Sequence, residues 1–256
     1  MKKFVAILAT LAITATLLSG CSQGSNSGGG TLRMVTNAEF HPFEFVVPSG
    51  GLVGIYDGID IAIALEIANE AGKELVIENV SFEAVLIQLA NGMADFAIAG
   101  ITIREDRAET VDFSIPYFRA TQYILTLEGS DITSANDLFD KNVGVVTGFT
   151  GQIIAMDDLR LPNVSPYANP ATAVMSLQQG SIDALIIDSL TATTFAQMHD
   201  NLAIVRDDDA FDGEYYGIAV PKGDTEMLEL VNRVLTRMLA DGEIDRLVAY
   251  YSSQDE

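Results

Sequence analysis

The stretch FAIAGITIREDRAETVDFSIPYF, Phe96–Phe118, joins a short apolar strand to polar side chains that suit a small anion. The apolar start predicts a strand over Phe96–Ala99. Gly100 lets a ligand approach the backbone closely, because it has no Cβ. Thr102 offers a hydroxyl, and Arg107 offers a planar fork of donors that fits a carboxylate bidentately. These residues predict a carboxylate site at the end of a sheet.

The same stretch has a second interpretation. Arg107 lies within two positions of Glu105 and Asp106, so an exposed ion pair would explain it without any ligand. Such pairs are common on protein surfaces and contribute little stability. The pattern further predicts a turn over Val111–Ser114. The local sequence leaves both interpretations of the arginine open, and the rest of the chain has to decide between them.

The amino terminus has the layout of a secretion signal. Lys2 and Lys3 precede the apolar run Phe4–Leu18. That run is shorter than the roughly 20 residues that a membrane-spanning helix needs, and it matches the apolar region of a signal peptide. We therefore expect residues 1–20 to be a signal peptide.

The apolar run ends in Leu18-Ser19-Gly20-Cys21, which resembles a bacterial lipobox. The resemblance implies cleavage before Cys21 and attachment of a lipid to its sulfur. A buried free thiol is the alternative for this cysteine, and a disulfide within the chain is excluded because the chain has one cysteine. Residues 21–30 are rich in Ser and Gly, so we expect a flexible linker behind the anchor.

Composition limits the chemistry of the remaining chain. The formal net charge of −22 disfavours nucleic acid and anionic lipid headgroups as partners. The chain has two histidines, His41 and His199, and one cysteine. These are few residues from which to build a hydrolytic triad or a transition-metal cluster. We therefore expect no metal, no cofactor and no hydrolytic triad. Carboxylate acid–base chemistry through Glu39 or Glu44 is the enzymatic alternative.

Short apolar strands alternate with amphipathic helices after Thr31, which predicts an α/β fold of two units with mostly parallel sheets. The predicted strands are Leu32–Thr36, Leu75–Glu78, Phe96–Ala99, Val143–Val146, Ala184–Ile187 and Ile218–Val220. The predicted helices are Asp60–Ala71, Phe82–Asn91, Gln152–Leu159, Ala171–Gln179, Leu190–Met198 and Thr225–Ala240. Gly72 and Gly242 are expected to end the helices that precede them.

Several phrases of the chain, in this order, resemble the solute-binding proteins for polar amino acids of family 3, the extracytoplasmic receptors of ABC importers. They are Thr36–Phe45, Gly58–Ile61, Phe82–Leu86, Asn91–Asp95, Ala99–Phe118, Val143–Gly148, Gly180–Asp188 and Gly217–Gly223. The resemblance implies a periplasmic-binding-protein-like type II fold, with two α/β lobes joined by a two-strand hinge. It also implies that the chain crosses between lobes near Tyr117–Thr121 and near Gly213–Tyr216.

These crossovers divide the folded part of the chain into three segments. Residues 31–120 are expected to form the first part of lobe 1, and residues 121–214 to form lobe 2. Residues 215–256 are expected to return to lobe 1.

A free amino acid is a zwitterion, so its receptor needs a cationic and an anionic anchor. Arg107 is the candidate for the α-carboxylate, and the resemblance adds Thr102 and a backbone N–H near Thr150. A helix predicted to start around Gly148–Gln152 would present unpaired N–H groups to an anion. The alternative for this segment is an ordinary turn between a strand and a helix.

Asp188 is the candidate for the α-ammonium. It follows the predicted strand Ala184–Ile187, and ligands of open α/β sheets bind at the carboxyl ends of strands. The carbonyl of Gly100 is a second acceptor for the ammonium. The alternative for Asp188 is a helix cap at the start of the helix near Leu190.

The side-chain pocket is assigned by resemblance. Phe40 and Phe82 correspond to aromatic residues that sandwich the aliphatic part of the ligand, with Phe149 nearby; a core role is the alternative for each. Some relatives carry Asp at the position of Asn37, so this Asn counts against lysine-like ligands. Glu39 or Glu44 would restore a preference for cationic ligands.

Together these features predict a hinged two-lobe trap. We expect a substrate-binding lipoprotein of an ABC importer, monomeric, lipid-anchored outside the cytoplasm, which delivers a polar or cationic amino acid to a membrane permease. The first alternative is an accessory receptor that presents its ligand to a sensor. The second is a dehydratase of small carboxylates on the same fold.

Overall fold

The computed structural model describes residues 29–253. The predicted signal peptide, Cys21 and almost all of the predicted linker lie outside the described residues. Among the described residues, no helix has both the length and the apolar composition needed to cross a membrane.

Short strands and helices alternate along the described chain. The strands are β1 (Thr31–Thr36), β2 (Glu39–Phe40), β3 (Glu44–Val46), β4 (Tyr56–Asp57), β5 (Glu74–Asn79), β6 (Phe96–Ala97), β7 (Val111–Phe113), β8 (Phe118–Ala120), β9 (Gln122–Leu127), β10 (Val143–Val146), β11 (Val164–Tyr167), β12 (Ala184–Asp188), β13 (Leu202–Val205), β14 (Glu214–Tyr216) and β15 (Ala219–Pro221). The α-helices are α1 (Ile59–Ala71), α2 (Phe82–Ala90), α3 (Glu105–Ala108), α4 (Thr150–Ile153), α5 (Pro170–Gln178), α6 (Ser189–Met198), α7 (Thr225–Ala240) and α8 (Glu243–Ser252). A 3-10 turn covers Ala135–Leu138, and α4 continues into a π-helical turn over Ile154–Asp158.

The predicted elements are present with small shifts of their ends. β10 and α7 have the predicted bounds. α1 ends where expected: the N–H groups around Gly72 cap it, and Gly72 adopts a left-handed φ of 65° that suits glycine. Gly242 is also left-handed and separates α7 from α8. The turn predicted over Val111–Ser114 is wrong, because Val111–Phe113 forms an edge strand of the first sheet.

Two five-stranded sheets define two lobes. The first has the order β5-β1-β6-β15-β7, and the second has the order β11-β10-β12-β9-β13. In each sheet two neighbouring pairs are parallel and two are antiparallel. The prediction of mostly parallel sheets is therefore wrong. One strand of each sheet, β15 in the first and β9 in the second, runs antiparallel to both of its neighbours. Each follows a hinge strand with no crossover helix between them, so the alternation of strands and helices did not report its direction.

The lobes are joined by an antiparallel pair of short strands. β8 and β14 pair with Tyr215 opposite Arg119, and both lie at the predicted crossovers. The lobes also pack against each other, since one cluster of buried side chains includes Phe40 and Phe43 of the first lobe with Phe149 and Leu185 of the second. The predicted fold class, two α/β lobes joined by a two-strand hinge, is confirmed.

Candidate functional site

Eight of the nine residues predicted to bind a ligand line one cavity between the lobes. They are Phe40, Phe82, Gly100, Thr102, Arg107, Phe149, Thr150 and Asp188, and Ala99 completes the wall. The cavity measures about 10 Å³, which is room for about one water molecule. The lobes are therefore closed on each other around these side chains.

Arg107 reaches from the first lobe to the second. Its Nη1 donates to the carbonyl of Thr102 at 3.0 Å, and its Nη2 donates to the carbonyl of Gly148 at 3.1 Å. The guanidinium carbon also lies 5.4 Å from the centre of the Phe82 ring. The ion-pair interpretation does not describe this arrangement, because Asp106 pairs with Arg104 at 2.9 Å instead. Burial lowers the pKa of Arg107, which still leaves it cationic at neutral pH.

Beside Arg107, two threonine hydroxyls meet across the gap between the lobes. Oγ1 of Thr102 lies 3.0 Å from Oγ1 of Thr150, and either can donate. Oγ1 of Thr102 also lies 3.2 Å from Oε2 of Glu214, on the hinge strand β14. Burial, followed by the charge of Asp188, raises the pKa of Glu214 to about 7. Glu214 was missed by the sequence interpretation.

Thr150 is also the first residue of α4. The N–H of Gly148 donates to the side chain of Gln152, and the N–H of Phe149 donates to the carbonyl of Val146. First-turn N–H groups such as that of Thr150 have no acceptor within their own helix. The helix start predicted around Gly148–Gln152 is therefore present, with α4 beginning at Thr150.

Asp188 ends β12 and is only 4% exposed. Its carboxylate accepts hydrogen bonds from Nε2 of Gln122 at 3.1 Å and from the hydroxyl of Tyr216. Although Asp188 stands at the cap position of α6, its side chain makes no capping hydrogen bond. Burial raises the pKa of Asp188 to about 6, against the lowering effect of these two donors. The structure therefore directs Asp188 to the cleft and not to the helix.

Gly100 is held in place by a buried acidic group. Its N–H donates to Oδ2 of Asp60 at 2.8 Å, and the hydroxyl of Tyr117 donates to both oxygens of Asp60. Gly100 has a φ of +51°, and a Cβ at this position would lie 2.5 Å from Cε1 of Phe40. Only glycine fits both the conformation and the space.

Three aromatic rings form the apolar end of the cavity. Phe149 of the second lobe packs edge-on against Phe40 at 5.2 Å and against Phe82 at 4.8 Å, between ring centres. Phe40 stacks on Phe43 behind it at 5.3 Å. The two rings predicted to sandwich a ligand therefore share Phe149 as their contact in this closed conformation.

The structure places three other predicted residues away from the cavity. Asn37 is buried outside the lining, and its Nδ2 donates to the carbonyl of Val80 at 2.8 Å. Glu39 is exposed on β2. Glu44 is fully buried in the first lobe, where burial and then the charge of Asp60 raise its pKa well above its usual range. Glu44 therefore does not face the cavity as the sequence interpretation allowed.

Residues 32–254 match the profile of the bacterial extracellular solute-binding proteins, family 3. The chain belongs to this family. A protein of Neisseria gonorrhoeae named as a probable histidine-binding protein is 32% identical over 270 residues, with 100% of this chain and 97% of that protein covered. The predicted resemblance to family 3 is thus confirmed.

Solved structures of amino-acid-binding proteins share the fold. One is an ABC transporter substrate-binding protein, AbpA of Streptococcus pneumoniae, bound to L-arginine, with a TM-score of 0.82 and 29% identity over 88% of this chain and 96% of that one. Another is the ancestral amino acid-binding protein AncCDT-1, described as a precursor of cyclohexadienyl dehydratase, with a TM-score of 0.79 and 33% identity over 88% and 96% of the two chains.

Proposed function

We propose that this solute-binding protein captures a free amino acid between its closing lobes and delivers it to the permease of an ABC importer. One observation carries the proposal. Arg107 of the first lobe and Asp188 of the second line the same cavity, so one cation and one anion face a shared space. This pair matches the two charges that every α-amino acid carries.

The carboxylate of the ligand would bind on the Arg107 side. Nη1 and Nη2 of the guanidinium donate to two carbonyl oxygens, and the carbonyl of Gly148 belongs to the second lobe. A carboxylate accepts stronger hydrogen bonds from a guanidinium than a neutral carbonyl does, so a ligand would displace Gly148 as acceptor. The hydroxyls of Thr102 and Thr150, with the N–H of Thr150, complete this half of the site.

The ammonium of the ligand would bind on the Asp188 side, with the Gly100 carbonyl as a second acceptor. Asp188 is buried and receives two neutral donors but no cation within ion-pair distance among residues 29–253. A buried carboxylate without a cation is unfavourable, and an ammonium would relieve this. The site is therefore arranged to gain most from a ligand that carries both charges.

Binding requires the lobes to separate, because a cavity of about 10 Å³ is far smaller than any amino acid. The hinge strands β8 and β14 are the natural pivot, so we assign residues 31–120 and 215–256 to lobe 1 and residues 121–214 to lobe 2. A ligand that bridges the lobes favours closure, because it gains both sets of contacts only in the closed form.

The rings of Phe40, Phe82 and Phe149 would contact the ligand side chain. Relatives named for histidine and arginine support a polar or cationic amino acid as the ligand. Asn37 would act from the second layer, through its bond to Val80.

We further propose that the chain is secreted, cleaved before Cys21 and held at the outer face of the cell membrane by a lipid on that cysteine. The family is extracellular, which supports this location. In this account the protein acts as a monomer, needs no cofactor, and binds its ligand without turning it over.

Calorimetric titration of the purified protein with each of the twenty amino acids tests the proposal. At least one should bind with micromolar affinity or better, equivalent to about 8 kcal/mol. If none binds, the transport function is wrong. Because one related structure is a precursor of a dehydratase, small carboxylates should then be assayed for loss of water.

A further inference from the structure

Glu214 has no role in the zwitterion site described above, yet its carboxyl is part of the same hydrogen-bond group. It lies on hinge strand β14, and its Oε2 is 3.2 Å from the Thr102 hydroxyl. That hydroxyl is 3.0 Å from the hydroxyl of Thr150 on the other lobe. Thr150 also makes a hydrogen bond to Glu214 directly. The three side chains therefore form one hydrogen-bonded group beside the position where a ligand carboxylate would bind.

The number of protons shared by these three side chains decides whether they can donate a hydrogen bond to a ligand. Each threonine hydroxyl has one proton to give. When Glu214 is ionised it only accepts, so Thr102 donates to it and Thr150 donates to it directly or through Thr102. Both hydroxyl protons are then used within the group of three side chains, so the hydroxyls present only lone pairs to an incoming carboxylate.

A proton on Glu214 reverses the direction of these hydrogen bonds. The carboxyl O–H donates to Thr102, Thr102 donates to Thr150, and the proton of Thr150 is left free to donate to the ligand. No atom has to move far, because each hydroxyl proton turns about its own C–O bond. One proton thus changes the threonine pair from an acceptor to a donor.

Charges around Glu214 also favour its neutral form when a carboxylate arrives. Two charged side chains on neighbouring elements act on Glu214, Arg107 on α3 and Asp188 on β12. Further charged side chains line the adjoining surface groove: Arg104, Asp158 and Asp212. Arg119 lies next to Gly213, the residue before Glu214. Arg104 is already paired with Asp106. A ligand carboxylate would compete with Glu214 for Arg107, and two carboxylates that share a site do not both ionise readily.

We propose that Glu214 takes up one proton when an amino acid binds, and that this proton turns the hydroxyls of Thr102 and Thr150 toward the ligand carboxylate. The proposal rests on the function proposed above, and it makes Glu214 a positioning residue that acts through the two threonines. In the closed protein the pKa of Glu214 is already raised to about 7, so the proton is available at low free-energy cost near neutral pH.

The test is titration calorimetry of the purified protein at pH 8 with the amino acid that binds best in the panel. Repeating the titration in buffers of different ionisation enthalpy gives the number of protons exchanged. We expect uptake of about 0.5 to 1 proton per ligand, and a Kd that rises by up to about tenfold per pH unit above pH 7. At this pH Asp188 is mostly ionised, since its pKa is about 6, so it contributes little to the exchange.

The variant Glu214→Gln keeps the shape and fixes a donor in place of the carboxyl. It should remove the proton uptake, flatten the pH profile and bind more tightly than the wild-type protein at pH 8, by up to about tenfold. Glu229→Gln, at an exposed position of α7, is the matched control and should behave like the wild-type protein. A merely structural role for Glu214 would predict weaker binding at all pH values.

Outcomes separate this inference from the proposed function. If the wild-type protein binds amino acids without taking up a proton, or if Glu214→Gln still takes up a proton, the inference is wrong and the function stands. If the wild-type protein binds no amino acid, both are wrong. The wild-type measurement alone can refute the inference even if the variant does not fold.

Discussion

Replacing Asp188 with Asn should make the protein more stable and the binding of amino acids much weaker. Asp188 is 4% exposed, and its partners Gln122 and Tyr216 are neutral. An Asn at this position has nearly the same shape and keeps an oxygen that accepts from both donors. The substitution therefore removes a buried charge and leaves most of the hydrogen-bond geometry in place.

The magnitude follows from the pKa of the carboxyl. Burial raises the pKa of Asp188 from 3.8 to about 6, and a shift of about 2 units corresponds to about 3 kcal/mol. The folded protein holds this proton more tightly than the unfolded chain, so the group destabilises the fold at pH 7. The penalty shrinks as the pH falls from about 6 to 3.8, and it vanishes below that range. About 3 kcal/mol is an upper limit, because opening of the lobes would hydrate Asp188.

Urea unfolding at pH 7 and at pH 3.5 measures this effect. Asp188→Asn should raise the free energy of unfolding by up to about 3 kcal/mol at pH 7, and by almost nothing at pH 3.5. In a melting experiment at pH 7, this equals a rise in Tm of up to about 6–12 °C for a chain of this size. Asp200→Asn, an exposed position in the same lobe, is the control and should change neither value measurably.

Affinity should change in the opposite direction. Calorimetry should show a loss of at least a hundredfold for an amino acid, or about 3 kcal/mol, and a much smaller loss for the same molecule without its amino group. If Asp188→Asn lowers stability at both pH values, burial of the ionised carboxylate of Asp188 does not destabilise the folded protein. If amino acid and des-amino analogue lose equally, Asp188 does not bind the ammonium.

Three further substitutions test other parts of the site. Arg107→Ala should weaken amino-acid binding at least a hundredfold in calorimetry while lowering the stability by only about 1 kcal/mol, since the two carbonyls it binds can be hydrated; a large loss of stability would mean that Arg107 is structural. Gly100→Ala should destabilise the protein by at least about 2 kcal/mol in urea unfolding, because a Cβ would meet Phe40 and strain a positive φ; unchanged stability would contradict this. Phe149→Ala should improve the Kd for long side chains relative to glycine by about tenfold, because its ring fills the space beside Phe40; an unchanged ratio would exclude Phe149 from specificity.

The sequence predicted the fold well where helix and strand signals are local. The run Val143–Val146 and the amphipathic pattern of Thr225–Ala240 gave the observed bounds. The strand Gln122–Leu127 was not predicted, although it takes part in two of the four strand pairs of the second sheet, with β12 and with β13. The residues with which it pairs lie 58 to 81 residues away along the chain, so no local pattern reports its pairing.

The sequence points to a site residue where a charged side chain lies close behind a strand that the local pattern already predicts. Arg107 and Asp188 could be found in this way. Gln122 and Glu214 could not, because they contact Asp188 and Thr102 over 66 and 112 residues of sequence. Their function depends on where the hinge brings them, which a linear pattern does not contain.

The stability of the closed conformation depends on contacts between aromatic rings, which favour closure, and on a buried charge, which opposes it. A ligand would act on the buried charge. Contacts of Phe149 with the rings of the first lobe favour closure, and the buried charge of Asp188 opposes it by up to about 3 kcal/mol. An opposing term of that size changes the ratio of closed to open protein by about a hundredfold. In the proposed site, an ammonium beside Asp188 would turn this opposing term into an attraction, while a carboxylate beside Arg107 would replace acceptors that are already present. On the proposed function, Asp188 would therefore contribute more than Arg107 to the dependence of closure on the ligand.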